Sequence, residues 1–181
     1  WPPVYHEYQP VATAQPFGLS KLARSVTLTP LDPVEPQPRP LELAAFAWLD
    51  AAGASDPPTV RPGETARLML AWRRTGPLDR RYAVFVHLLR EGGPAADNGL
   101  PEILAQSGHE PGEGKFPTTL WETWTRPLIV LDEQRLTIPA DLPPGEYYVW
   151  AGAYETESGS RVELGGTGKT LRRVGPLMVN P

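Results

Sequence analysis

The stretch Tyr82-Ala-Val-Phe-Val-His-Leu-Leu89 is the most strand-like part of this chain. Its alternating positions form two sets, and both are largely apolar: Tyr82, Val84, Val86 and Leu88, and Ala83, Phe85, His87 and Leu89. Because successive side chains of a strand point to opposite faces, this pattern predicts a central strand that is covered on both sides. We expect His87, the one charge-bearing residue in the stretch, to be mostly buried.

Two stretches that echo each other flank this strand. Arg61-Pro-Gly-Glu-Thr-Ala-Arg-Leu-Met-Leu-Ala-Trp72 precedes it, and Pro143-Pro-Gly-Glu-Tyr-Tyr-Val-Trp-Ala-Gly-Ala-Tyr154 follows it. Each contains Pro-Gly-Glu near its start and continues as a run of β-prone residues. Pro presets φ for a turn and Gly accepts positive φ, so each Pro-Gly pair predicts a tight turn that leads into a strand.

The rest of the chain shows the same alternation of short apolar runs and turn residues. The predicted strands are 41–49, 65–73, 81–90, 103–106, 128–131, 134–138, 146–155, 161–164 and 171–179. The 23 prolines and 17 glycines among 181 residues are too frequent for long helices. We therefore predict an all-β fold, an antiparallel two-sheet β-sandwich of the Ig-like or jelly-roll-like kind.

The chain divides into two predicted parts. Residues 1–40 form a Pro-rich linker or N-terminal arm, whose proline cluster near its end favours the extended polyproline II conformation. Residues 41–181 form the β-sandwich domain.

Composition restricts the partners. The net charge of −4 offers no basic field for nucleic acid. No apolar stretch approaches the ~20 residues of a membrane span, so we expect none in this sequence. The chain has no cysteine, so disulfides and thiolate chemistry are excluded.

A long turn-rich segment, residues 91–119, supplies the candidate ligand-binding residues. Asp97 and His109 lie in it, where we expect His109 to be exposed, and Trp121 and Trp124 follow it. Exposed tryptophan rings can stack on the apolar faces of sugars. Trp121 has a second interpretation, in which its ring plugs one end of the sandwich, and for Trp124 both interpretations stay open.

Four other aromatic residues fall on predicted strands. We expect their side chains to lie in the core: Trp72, Phe85, Trp150 and Tyr154.

Motifs for catalysis are absent from the sequence. The three histidines are scattered, with no His-Glu-x-x-His zinc motif, and there is no Gly-x-Ser-x-Gly elbow of a hydrolase serine. We therefore predict no catalytic residue, no metal and no cofactor. Two alternatives remain, a calcium site at Asp97 and Asn98 and a carboxylate pair for glycoside hydrolysis. The candidates for that pair are Asp97, Glu102, Glu110 and Glu113.

Residues spread over the predicted sandwich carry a resemblance to a known domain. They are Arg61-Pro-Gly-Glu64, Leu68 to Trp72, Tyr82 to Leu88, Ala105-Gln106, Phe116-Pro-Thr118 with Trp121, Asp132, Pro144-Gly-Glu-Tyr147, and Gly152-Ala-Tyr154 with Gly159 and Arg161. In these positions, residues 41–179 resemble the C-terminal β-sandwich domain of membrane glycosyltransferases of the protein-mannosyltransferase type (family 39) from Chloroflexi-like bacteria. Such domains carry an acidic residue shortly after the Ala-Gln pair, where this chain has Ser107-Gly-His109.

The resemblance implies a non-catalytic, extracytoplasmic accessory module whose parent enzyme holds the chemistry upstream. Its expected partners are a glycan or acceptor, or the membrane domain of the parent protein. The alternative is a purely structural or protein–protein interaction module.

Overall fold

The computed structural model describes residues 29–31, 40–49, 57–90, 102–123, 129–164 and 170–181. They form two β-sheets packed face to face, as predicted. The strands are β1 (Thr29–Pro30), β2 (Leu41–Trp48), β3 (Thr59–Val60), β4 (Thr65–Arg74), β5 (Tyr82–Leu89), β6 (Ile103–His109), β7 (Ile129–Thr137), β8 (Gly145–Glu155) and β9 (Leu171–Val179).

One sheet has the order β1-β2-β4-β7 and the other the order β3-β9-β8-β5-β6. All pairings are antiparallel except the short contact of β3 with β9, which is parallel. The only helical segment in the described ranges is a 3-10 helix, Thr118–Thr123. None of the described helical structure has the length and apolarity needed to cross a membrane.

β5 is an interior strand of the five-stranded sheet, as its two apolar faces predicted. Val84, Val86 and Leu88 point into the shared core between the sheets. Phe85 and His87 therefore point to the opposite, outer face, where they are also buried. The prediction that His87 is mostly buried is confirmed.

β8 alternates in the same way, and this corrects the prediction for two aromatic residues. Val149, Ala151 and Ala153 lie in the shared core. Trp150 and Tyr154, expected in the core, instead point to the outer face and are partly exposed. Tyr147 of β8 lies in the shared core together with these small residues, with 1% of its surface exposed.

The first Pro-Gly-Glu turn forms as predicted. Gly63 has φ of +83°, a conformation that suits glycine, and the backbone N–H of Glu64 donates to the carbonyl of Arg61 at 3.1 Å. The Glu64 side chain accepts a second bond from the Arg61 N–H at 2.9 Å. This turn leads directly into β4.

Several strand boundaries differ from the prediction. β6 continues to His109, three residues beyond the predicted end. The predicted strands 128–131 and 134–138 are one strand, β7. In place of the predicted strand 161–164, only Arg161 forms a bridge, with Tyr154. Within the predicted arm, Thr29 and Pro30 pair with Phe46 and Ala45 of β2.

Candidate functional site

The predicted ligand-binding residues do not come together in this structure. Trp121 is buried, with 1% of its surface exposed, and its indole N–H donates to the carbonyl of Phe116 at 3.1 Å. Its ring belongs to the core, so it has no free face for a sugar, and the structure matches the interpretation in which it plugs the sandwich. Trp124 and Asp97 lie outside the described residues.

His109 lies at the end of β6, not in an exposed loop as expected, and its side chain is only 25% exposed. Its Nε2 atom is 3.0 Å from Oδ1 of Asp132 on β7, whose side chain is fully buried. The hydrogen bond with Asp132 raises the pKa of His109 above its ordinary value, although burial opposes the rise.

Asp132 is the centre of a polar group that we call the edge clasp, formed by Ser107, His109, Asp132 and Gln134. Besides His109, the Asp132 carboxylate accepts bonds from the Gly112 N–H at 2.7 Å and from the Gln134 amide at 2.6 Å. The Ser107 hydroxyl donates to the Gln134 amide oxygen at 2.9 Å. The clasp joins β6 and β7, the edge strands of the two sheets. Since its members bind one another, we interpret it as a structural closure.

The alternative of a carboxylate pair finds no support in the described acidic residues of the 91–119 segment. Glu110 forms an ion pair with Arg81, and Glu113 lies 3.5 Å from Lys115. No group of three or more His, Cys, Asp or Glu side chains in the described ranges is arranged to hold a metal ion.

The outer face of the five-stranded sheet carries the more distinctive arrangement, which we call the aromatic face. It consists of Phe85, His87, Tyr148, Trp150, Tyr154, Arg161 and Arg173. The residues come from three adjacent strands and from the bridge at Arg161. A sheet fixes their spacing and direction, so the rings are presented on a rigid support.

Phe85 lies at the centre of the aromatic face between two glycines. Its cross-strand neighbours are Gly108 on β6 and Gly152 on β8. A Cβ atom at residue 152 would come within 2.3 Å of the Phe85 Cζ atom, and one at residue 108 within 3.0 Å of the Phe85 Cβ atom. Residue 152 therefore requires glycine, because the Phe85 ring occupies the space above it, and residue 108 leaves only a tight space for a side chain.

His87 packs beside Phe85, with ring centroids 4.4 Å apart. Burial, together with the nearby positive charge of Arg161, lowers its pKa to about 4. His87 is therefore a neutral part of the aromatic face at physiological pH.

The two arginines stack on rings. The Arg173 guanidinium lies 3.7 Å from the Tyr148 ring centroid, and that of Arg161 lies 5.5 Å from the Phe85 ring centroid. Stacking by Arg173 covers one face of Tyr148, so Trp150 and Tyr154 are the partly exposed rings that remain for a ligand. Arranged in this way, the face can combine ring stacking with charge-assisted hydrogen bonds.

The sequence contains a signal for this site. In β8 the small residues Val149, Ala151 and Ala153 alternate with Tyr148, Trp150 and Tyr154. Small residues suit a tightly packed interface between two sheets, so the larger set could have been assigned to the outside.

Comparisons with known proteins assign the chain to no family. No family model and no curated protein matches the chain. Among solved structures, the chain is similar to one described as the crystal structure of the C-terminal domain of wzt. The TM-score is 0.41 and the identity 13%, over 98% of this chain and 85% of that chain. A likeness at this level supports no conclusion about ligand or partner.

Proposed function

We propose that this protein is a non-catalytic accessory domain that binds glycan through its aromatic face. The observation that carries the proposal is the pair of partly exposed rings, Trp150 and Tyr154, on the outer face of β8. They are four residues apart on one strand, so their Cα atoms are separated by about 14 Å. That separation suits an extended chain of sugar units better than a single small molecule.

Aromatic rings suit carbohydrate because a sugar presents a flat apolar face as well as hydroxyl groups. Stacking on Trp150 or Tyr154 would bury the apolar face, and polar side chains around the rings would bind the hydroxyls. Gln106 is an exposed polar residue of the same face, one strand beyond His87, which is itself the cross-strand neighbour of Trp150.

The proposed location is extracytoplasmic, in the cell envelope, and the proposed parent protein is a membrane glycosyltransferase. The support for both is the resemblance to the C-terminal domains of family 39 enzymes. In that setting the domain would hold a glycan or acceptor near an active site carried elsewhere in the parent protein.

A glycan array followed by titration calorimetry tests the proposal. We expect Trp150→Ala to weaken binding at least tenfold, about 1.4 kcal/mol, because it removes a ring that the ligand contacts. Leu120→Ala is the matched control, since Leu120 is exposed and lies in the 3-10 helix, apart from the aromatic face.

Thermal melts should show that both variants are folded. If Trp150→Ala and Tyr154→Ala each bind every glycan as the wild type does, the aromatic face is not the binding site. A domain that binds no glycan but associates with its parent protein would instead favour the protein-interaction alternative.

A further inference from the structure

Arg161 on the aromatic face is exposed, and its guanidinium lies 5.5 Å from the Phe85 ring centroid. Arg173 lies over the Tyr148 ring, whose hydroxyl donates to the Glu146 carboxylate at 2.9 Å. The chain as a whole has a net charge of −4, so an arginine in this position differs from the average of the molecule.

Each arginine lies next to one of the two open rings. Arg173 is the cross-strand neighbour of Trp150, and Arg161 forms the bridge with Tyr154. A ligand stacked on either ring would thus meet a guanidinium at its side. A guanidinium that stacks on a ring keeps its N–H groups in the plane at its edge, where they can bind a carboxylate through two parallel hydrogen bonds.

The positive charge of this face does not depend on His87. His87 is neutral above its pKa of about 4, whereas arginine stays protonated throughout the physiological range. Among the described residues, Arg161 forms no ion pair. Arg161 is therefore a permanent cation beside the partly exposed ring of Tyr154.

We infer that the aromatic face selects acidic glycans, those whose sugar rings carry carboxylate groups. The inference rests on the proposed function, because it names the class of glycan that the same face would take. Sugar units would stack on Trp150 and Tyr154, and the unit on Tyr154 would pair its carboxylate with Arg161. A neutral glycan would form only the stacking contacts.

Titration with three probes tests the inference. They are an oligogalacturonic acid, the same oligosaccharide with its carboxylates converted to methyl esters, and inorganic polyphosphate. The ester keeps the sugar rings and removes the charge, and polyphosphate has charge without sugar rings. We expect the acid to bind at least tenfold more tightly than the ester, and polyphosphate to bind more weakly than the acid.

Arginine substitutions separate charge from stacking. Arg161→Gln should weaken binding of the acid several-fold and leave binding of the ester within twofold. Arg135→Gln is the matched control, since Arg135 is an exposed arginine on the other sheet. It should change neither.

The outcomes distinguish this inference from the proposed function. Equal binding of acid and ester, or failure to bind the acid, overturns the preference for acidic glycans. Polyphosphate binding as tight as that of the acid also overturns it, since charge alone would then explain the affinity. If Trp150→Ala still abolishes binding of neutral glycans, the proposed function survives. If Trp150→Ala changes no glycan affinity, the proposed function fails as well.

Discussion

Acidification should destabilise this domain through His87. The folded protein lowers the pKa of His87 from 6.5 to about 4, because the ring is buried, with 8% of the residue exposed, and lies near Arg161. The unfolded chain therefore binds a proton at a pH where the folded chain does not. The contribution of neutral His87 to the free energy of unfolding is fully present above pH 6.5 and is lost as the pH falls towards 4.

The size of the effect follows from the two pKa values. One pKa unit corresponds to about 1.36 kcal/mol, so the shift of His87 sets an upper limit of about 3 kcal/mol. Most of it, about 2 kcal/mol, should be lost between pH 7 and pH 4.5. For a domain of typical stability, about 5–15 kcal/mol, this loss is a large fraction.

Urea unfolding followed by tryptophan fluorescence at pH 7, 5.5 and 4.5 measures the loss. His87→Phe is the comparison variant, because a phenyl ring keeps the contact with Phe85 and does not titrate. Protonation of carboxylates such as Glu155, whose pKa is lowered by the hydrogen bond from Arg80, also destabilises the folded protein in acid. They do so in both proteins, so the difference between wild type and variant isolates His87.

The free energy of unfolding should fall more steeply with acidification in the wild type than in His87→Phe. Equal slopes between pH 6.5 and 4.5 would show that His87 is not buried as described, and the assignment of the aromatic face would then be wrong. The comparison needs no knowledge of the ligand.

Three further predictions concern the aromatic face, the edge clasp and the core. Gly152→Ala should destabilise the folded domain by about 1–3 kcal/mol in thermal melts, because the new methyl would overlap the Phe85 ring. The double variant with Phe85→Leu should recover part of the loss, and no recovery would exclude this contact as the cause. Asp132→Asn should cost about 1–3 kcal/mol in urea unfolding, because a buried carboxylate that accepts several hydrogen bonds is replaced by a group that also donates. In the wild type, the pairing of His109 with Asp132 stabilises the fold below pH 6.5, and this stabilisation is lost as the pH rises through the raised pKa of His109. The substitution should remove this pH dependence, and an unchanged pH dependence would contradict the coupling. Trp121→Ala should cost about 3–5 kcal/mol by chemical unfolding, because it empties a buried site, and a loss below about 1 kcal/mol would mean that the ring is not in the core.

The strands of the sandwich could be predicted where turn residues bound apolar runs. Pro62-Gly63 and the apolar alternation of β5 are local features, and the structure follows them closely. β7 was predicted as two strands because Asp132 and Glu133 interrupt its apolar pattern. Asp132 points inward nonetheless, because His109, Gly112 and Gln134 satisfy its carboxylate. Two of these partners, His109 and Gly112, are distant in sequence, so a local pattern cannot reveal them.

The candidate site was harder to predict than the fold. Both sets of side chains on β8 are apolar or aromatic, so hydrophobicity alone does not say which set faces the other sheet. The small residues Val149, Ala151 and Ala153 favour one face, but Tyr147 shares that face, so side-chain volume is only a partial guide. Arg161 and Arg173 come from separate segments, and only the sheet brings them beside Tyr154 and Trp150.

The inward-pointing Asp132 also affects how accurately β7 pairs with its neighbour during folding. β7 is an edge strand, and exposed edges invite pairing with strands of other molecules. If β7 slipped by one residue, Glu133 and Arg135 would turn towards the core and Asp132 would lose its donors. A charge buried on the edge strand thus penalises misaligned pairing, and it should lower the tendency of the domain to aggregate during folding.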